Sequence, residues 1–577
     1  MVKHLTIPTR AGVLAAVVAI ALIYAQRPLV AHDGYVLCSP VNTKSIYTVD
    51  PRNSVVECVL VRGKKFVASG SLDEVKVKRT WYPWTEKVKY IPKGSIVVPG
   101  LGDSHAHILE YGKTAQLELE GTKSVDETVK LVRQHILSNP DLLGDKSRVI
   151  FGGGWDHMSW STRQFPTSKD LDSDPVIRGR RVVLQSKDCH ALWVSLAALD
   201  TCGEIPSDIE GGVVVTDVNS NPTGVLLDNA QELLKLPHPT EDELRSRFLT
   251  TVKDALSYGL TSIHDAGLDP MSLDFFEREV AREKSLPIRI YAMKHFDEQE
   301  LYWGNTTIPY SGAANGWLSV RSVKIFADGA LRTGGAALHH HYHDNPSTKG
   351  FMRLSEDVLV SVIPRFLKDG WQVNVHAIGD RANGLVLDAF ESALKDANVT
   401  ALRPRLEHAQ IMTKEDMERL GGLGVIASVQ PTHAISDMSY AEDRLGPSRV
   451  HQLYAFRSIL NSGTRIALGT DFPVEEMNPF KTFYAAITRT TVSGQSPHGR
   501  GGWFPEQCLT REETLRGMTI DPAYASFTES TLGSIEPGKL ADLVVLSQDV
   551  MRVPVDRIME TKVVATVIDG KVVYGDL

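Results

Sequence analysis

The sequence predicts an α/β chain: a (β/α)8 TIM barrel with a large insertion after strand 1, plus a small β-sandwich domain built from both chain ends. Three observations predict it. Apolar strand candidates alternate with helical patterns at 96–101, 261–264, 288–292, 320–326, 372–376, 405–408, 425–429 and 465–468, and eight such units are what a closed barrel requires. Several of these strands end on His, Lys or Asp, and a barrel gathers its strand ends at one face. The two chain ends consist of short strands and turns, each marginal if it stood alone.

At 577 residues the chain exceeds one simple core, and 42% hydrophobic with 23% charged residues is ordinary globular composition. A net charge of -8 argues against a nucleic-acid partner. The five cysteines, Cys38, Cys58, Cys189, Cys202 and Cys508, form no C-x-x-C pair. They indicate neither a disulfide framework nor a cysteine zinc site. Lys3 and Arg10 precede an apolar run at 11–25, so residues 1–32 read as a signal peptide or an uncleaved signal anchor. That places the body in the secretory pathway, in the ER or endomembrane lumen, either membrane-anchored through 11–25 or secreted. Glycosylation sequons at Asn305 and Asn398 agree with this placement.

Residues 33–97 carry short alternating pieces separated by turns such as Asp50-Pro51-Arg52-Asn53, and 533–577 have the same texture. The expectation is one composite β domain made from both. The barrel then occupies 98–532. Its segment from about 114 to 257 has strand candidates of its own at 149–151, 182–185 and 213–215. It reads as an insertion over the barrel mouth, because structureless loops of that length are rare in compact domains.

Residues 97–110 read V-V-P-G-L-G-D-S-H-A-H-I-L-E and deliver Asp103, His105 and His107 two apart. A regular strand points all three to one face, which spaces two imidazoles to chelate one divalent metal. Downstream, Lys324 stands inside an apolar strand. A buried lysine needs a partner, so it is either deprotonated and modified or salt-bridged, for instance to Asp328. Further strands end on His376, His408 and Asp471, and His264-Asp265 ends another as hydrogen-bonding support. Each residue taken singly reads as structural; their common position at strand ends ties them together. The histidines at 339–341 and 343 lie in a polar segment and read as surface loop. No phosphate loop or nucleophile elbow is present.

In combination these pieces resemble the amidohydrolase superfamily, within it the YtcJ-like branch (amidohydrolase family 3) that includes N-substituted formamide deformylases. The matching motifs are P-G-L-G-D-S-H-A-H (99–107), V-K-I-F-A-D-G-A-L (323–331), V-H-A-I-G-D (375–380), L-E-H-A (406–409), V-Q-P-T-H-A (429–434), L-G-T-D-F-P (468–473) and G-S-I-E-P-G-K-L-A-D-L-V-V-L (533–546). The resemblance implies two divalent metal ions, zinc first among the candidates: His105, His107 and Asp471 on one, His376 and His408 on the other, and carboxylated Lys324 bridging both. It implies hydrolysis of a carbon–nitrogen bond other than a peptide bond, amide- or formamide-like, in a small molecule. A metal-activated hydroxide would attack, with Asp471 moving the proton. Trp155 and His157 in G-G-G-W-D-H, His190 in D-C-H-A and His433 are candidates to contact substrate, against a packed tryptophan and a structural histidine as alternatives. Cys189 and Ser195 depart from the glycine and asparagine common in relatives. A catalytically inactive signalling or scaffold protein, or an esterase or isomerase on the same fold, is the rival reading. A homodimer is compatible with the sequence.

Overall fold

A computed structural model of the chain describes residues 34–77, 87–206, 208–297, 301–312 and 316–577. The apolar run at 11–25 lies outside these residues. Among the described residues, no helix is long and apolar enough to cross a membrane.

Eight strands form one parallel sheet in chain order: β1 (Leu101–Ala106), β2 (Leu260–Leu268), β3 (Arg289–His295), β4 (Leu318–Phe326), β5 (Gln372–Ala377), β6 (Arg405–His408), β7 (Ile426–Val429) and β8 (Ile466–Leu468). Helices cover the outside, so most strand residues are buried on both faces. Two bonds beyond the strand ends draw β8 to β1: Asp471 N–H donates to His105 O at 2.7 Å, and His107 N–H to Phe472 O at 2.8 Å. The result is the nearly closed (β/α)8 barrel that the alternation predicts. The helices follow from period and cap. In Glu356–Lys368, Leu359, Val362, Ile363 and Phe366 face inward, and the Ser355 side chain accepts Val358 N–H.

The first expected strand is divided. Ile96–Pro99 belongs to another sheet, and the barrel strand begins at Leu101. The break falls at Gly100, where a Cβ would come within 2.3 Å of Thr261 Oγ1. Ile96–Pro99 pairs with Leu543–Leu546 and Ile46–Tyr47 in a six-stranded sheet that also holds Val55–Val56, Val563–Ile568 and Lys571–Gly575. A four-stranded sheet of Gly34–Cys38, Cys58–Arg62, Lys65–Gly70 and Lys87–Tyr90 accompanies it. The chain ends therefore build one β-sandwich. The expectation of no disulfide is corrected here: Cys38 and Cys58 are bonded. They are registered opposite each other on antiparallel strands, which their separation of 20 residues does not reveal.

Between β1 and β2 the insertion folds around a five-stranded sheet: Gly212–Thr216, Pro222–Asp228, Ala191–Val194, Val182–Ser186 and Ile150–Trp155, in that spatial order. It has its own apolar core, including Trp155, Trp160 and Trp193.

Candidate metal centre

The centre is built at the C-terminal ends of the barrel strands, and its geometry begins with a buried charge relay. On β6, Arg405 and Glu407 are two apart and share a face, with Arg405 Nε 2.9 Å from Glu407 Oε1. Arg405 is itself fixed by Ser104 O at 2.6 Å and Ser428 Oγ at 2.8 Å, with His264 Nδ1 at 3.1 Å. Glu407 Oε2 lies 2.6 Å from His105 Nδ1. This holds the ring so that Nε2 faces the middle, 3.4 Å from Lys324 Nζ and 3.5 Å from Asp471 Oδ1.

The other candidates converge on the same point. His107 Nε2 is 3.2 Å from Asp471 Oδ1, and the His408 ring centroid is 4.6 Å from those of both His105 and His376. His408 Nδ1 is 3.0 Å from Gln430 Oε1 and 3.9 Å from Asp471 Oδ2. One ligand atom each from His105, His408 and Asp471 lie within 4.8 Å of one another. That trio crosses the division implied by the resemblance, which puts His408 with His376 instead. Asp471 and His408 hold left-handed backbone, φ 61° and 73°, a strained conformation for non-glycine residues that is characteristic of functional sites. Gly469 permits the approach of β8 to β1, since a Cβ there would sit 2.7 Å from His105 N.

Electrostatics follow from burial. Desolvation, reinforced by neighbouring positive charge, drives His105, His376 and His408 far below the usual histidine range, so their rings are neutral donors. Burial also lowers Lys324 to about 8, against the opposing pull of Glu407 and Asp471. Burial alone would raise Asp471, but His105, His107 and His433 outweigh it and hold the carboxyl below its ordinary range. Lys324 has no salt bridge among the described residues. Asp328, its expected partner, accepts three backbone N–H bonds, from Ala337, Ile378 and Gly379 at 2.8–3.0 Å. Both ring nitrogens of His376 are buried without hydrogen-bond partners. Neutral imidazoles, a carboxylate and a readily deprotonated amine, with buried lone pairs left over, form a donor set that fits divalent metal such as zinc.

Beside the centre lies a cavity whose lining includes His190, His408, His433 and Asp471. His190 Nδ1 is 2.5 Å from Asp228 Oδ1. His433 stacks parallel to His408 and points Nε2 to within 3.6 Å of Asp471 Oδ2. Trp155 and His157 do not line this cavity. Trp155 is fully buried in the insertion core, donating to Leu184 O at 2.8 Å, and His157 stacks on Phe165.

Sequence reasoning gave no role to Glu407, Arg405 or Gln430, which orient the ligands. The available signal was an Arg and a Glu two apart on one face of a strand that ends on a histidine. It also missed the cavity wall: Lys187 and Asp188 from the insertion, Arg332, Gln410 and Glu475 from barrel loops, and Asp437 from the end of a barrel helix.

With this geometry in hand, residues 93–574 match the amidohydrolase family. The chain is 30% identical to YtcJ of Bacillus subtilis, over 92% of this chain and 98% of that one. It is 27% identical to N-substituted formamide deformylase of Arthrobacter pascens, over 92% and 97%. A crystal structure of an uncharacterized metal-dependent hydrolase from Pyrococcus horikoshii superposes with a TM-score of 0.70 at 25% identity, covering 90% of this chain and 99% of that one. The expected secretory-pathway and membrane-anchored placement is corrected by these findings. It rested on the run at 11–25 alone, whereas the YtcJ and deformylase relatives match this chain along almost their whole length. Family match, relatives and barrel architecture agree: this chain belongs to the amidohydrolase family, as a YtcJ-like metal-dependent hydrolase.

Proposed function

We propose that the protein hydrolyses a non-peptide carbon–nitrogen bond, of the amide or formamide type, in a small molecule. The observation that carries this reading is the convergence of His105, His107, Lys324, His376, His408 and Asp471 at one end of the barrel. The deformylase relative supports the choice of bond. These six residues would hold two divalent ions, zinc first among the candidates, with Lys324 carboxylated on Nζ as the bridge. Bound there, the ions would supply Lewis acidity toward the carbonyl oxygen and the attacking water.

The chain's own residues do the rest. Glu407 fixes the His105 ring, and Gln430 fixes that of His408. Asp471 stands ionised beside the cavity and takes one proton from the attacking water as its oxygen bonds to the carbonyl carbon. It returns that proton to the leaving nitrogen as the carbon–nitrogen bond breaks, releasing an acid and an amine. His190 and His433 line the cavity where the substrate carbonyl would lie. The same reading assigns catalysis to the barrel, 98–532, and a supporting role to the composite β domain, 33–97 with 533–577.

Asp471→Asn and His105→Ala should each lower kcat/KM by about a thousandfold or more while the circular dichroism spectrum stays unchanged. Near-normal turnover in either variant, with metal content verified, overturns the assigned roles. Elemental analysis of active protein should find stoichiometric divalent metal, and active protein without it contradicts the mechanism.

A further inference from the structure

Glu475 lines both the substrate cavity and a second space beside it. This second space, a vestibule, is lined by Glu118, Glu120, Asp254, Glu475 and Glu476, with no lysine or arginine among its lining residues. Of these, Glu120 and Glu475 pair with Lys187 and Glu476 pairs with Lys481. Glu118 has no ion-pair partner among the described residues.

Two cations do line the inner cavity, Lys187 and Arg332, and both are already engaged. Arg332 spans Asp156 at 2.6 Å and Asp437 at 3.0 Å. Lys187 lies between Glu120 and Glu475, 3.6 Å from the latter. Acceptors, by contrast, are left over. Gln410 is 4% exposed and its Oε1 has no hydrogen-bond partner, although the residue lines the inner cavity. Asp188 spends Oδ1 on Ser186 Oγ and His190 N, and its Oδ2 is buried without a partner. Surplus buried acceptors beside saturated cations suit a ligand that brings N–H donors and positive charge.

Building on the amide-hydrolase reading, we propose that the substrate carries a protonated amine or similar cationic group, received by Asp188 Oδ2 and Gln410 Oε1 and drawn in through the acidic vestibule. The substrate class is thereby narrowed to N-acylated or N-formylated amines with a second, cationic nitrogen.

The test uses metal-loaded protein and three N-formyl compounds of one alkyl chain length, ending in an ammonium, a methyl or a carboxylate. Calorimetric binding should favour the ammonium compound over the methyl one by about tenfold or more, with the carboxylate weakest. Asp188→Asn should shrink the ammonium-to-methyl ratio to within about threefold. The exposed Glu118→Gln, which leaves the fold untouched, should weaken the ammonium compound alone, by about twofold and less at high salt. Equal or tighter binding of the methyl or carboxylate compound overturns the proposal, as does an ammonium preference unchanged by Asp188→Asn. Turnover is scored separately. Preference without turnover of any compound counts against amide hydrolysis and leaves the cationic pocket standing, whereas turnover without preference does the reverse.

Discussion

The metal centre and the cavity wall beside it treat their polar atoms in opposite ways. At the strand ends of β1, β5 and β8, His105, His376 and Asp471 are buried, and both ring nitrogens of His376 have no hydrogen-bond partner. In the wall, Asp437 is saturated: it accepts from Arg332 Nη2 at 3.0 Å and from the Tyr440 and Tyr454 hydroxyls at 2.5 Å each. Burying an unpaired polar group is expensive, so the centre is stable only as a receptor for something that supplies the missing partner. The wall is complete in itself and joins the insertion to the barrel through Arg332 and Asp156. The difference teaches where to look for chemistry: in the cluster left unsatisfied rather than in the densest cluster of charge.

The contrast breaks most sharply if Asp437 is removed. Asp437→Ala leaves Arg332 half-paired and two buried tyrosine hydroxyls without acceptors. We expect a loss of about 4 kcal/mol in urea unfolding, with metal stoichiometry retained in the folded fraction. A loss that small surface changes also produce would mean the saturated wall does not hold the structure.

Lys324 gives the next effect, and its sign follows from proton counting. Its amine is lowered from 10.5 to about 8 in the fold, so between those values the unfolded chain binds the extra proton. Metal-free protein should therefore gain stability as pH rises through that window, by roughly 3 kcal/mol at most. Below about pH 8 both states are protonated and the full penalty persists. Lys324→Met should flatten the dependence, measured as urea midpoints at the two ends of the window; a variant that keeps the wild-type slope assigns it to another group. Smaller again is Glu407→Gln, which loosens the His105 ring and should weaken metal affinity by about 10–100-fold in competition with a chelator. Unchanged affinity would reduce Glu407 to a partner of Arg405.

The unsatisfied centre was readable in the sequence because its residue types stand at the ends of apolar runs. His105, Lys324, His376, His408 and Asp471 announce themselves by what surrounds them, and the barrel topology needs only to be assumed for them to meet. The saturated wall was not readable. Lys187 and Asp156 come from the insertion and Arg332 and Glu475 from barrel loops, and their contacts depend on how the insertion packs, which no periodicity encodes. The same limit explains Trp155 and His157, whose neighbours in sequence suggest a pocket although their aromatic partners lie within the insertion core. Local chemistry also misplaced the first strand. The apolar run continues through Gly100, and only the close approach of Thr261 reveals that the chain changes sheets there.

The weakest expected effect tests whether the seam between insertion and barrel depends on its buried contacts. Arg163, in the insertion, lies 2.8 Å from Asp443 of the barrel, with side chains 50% and 56% exposed. In that setting solvent and salt screen the attraction, and holding two long side chains in place consumes much of what remains. Arg163→Ala should therefore change stability by less than about 1 kcal/mol and leave substrate affinity unaltered. If it instead weakened both as far as Asp437→Ala does, the insertion would be held by its rim, and the buried Arg332 pairs would have to be reread as part of the binding surface.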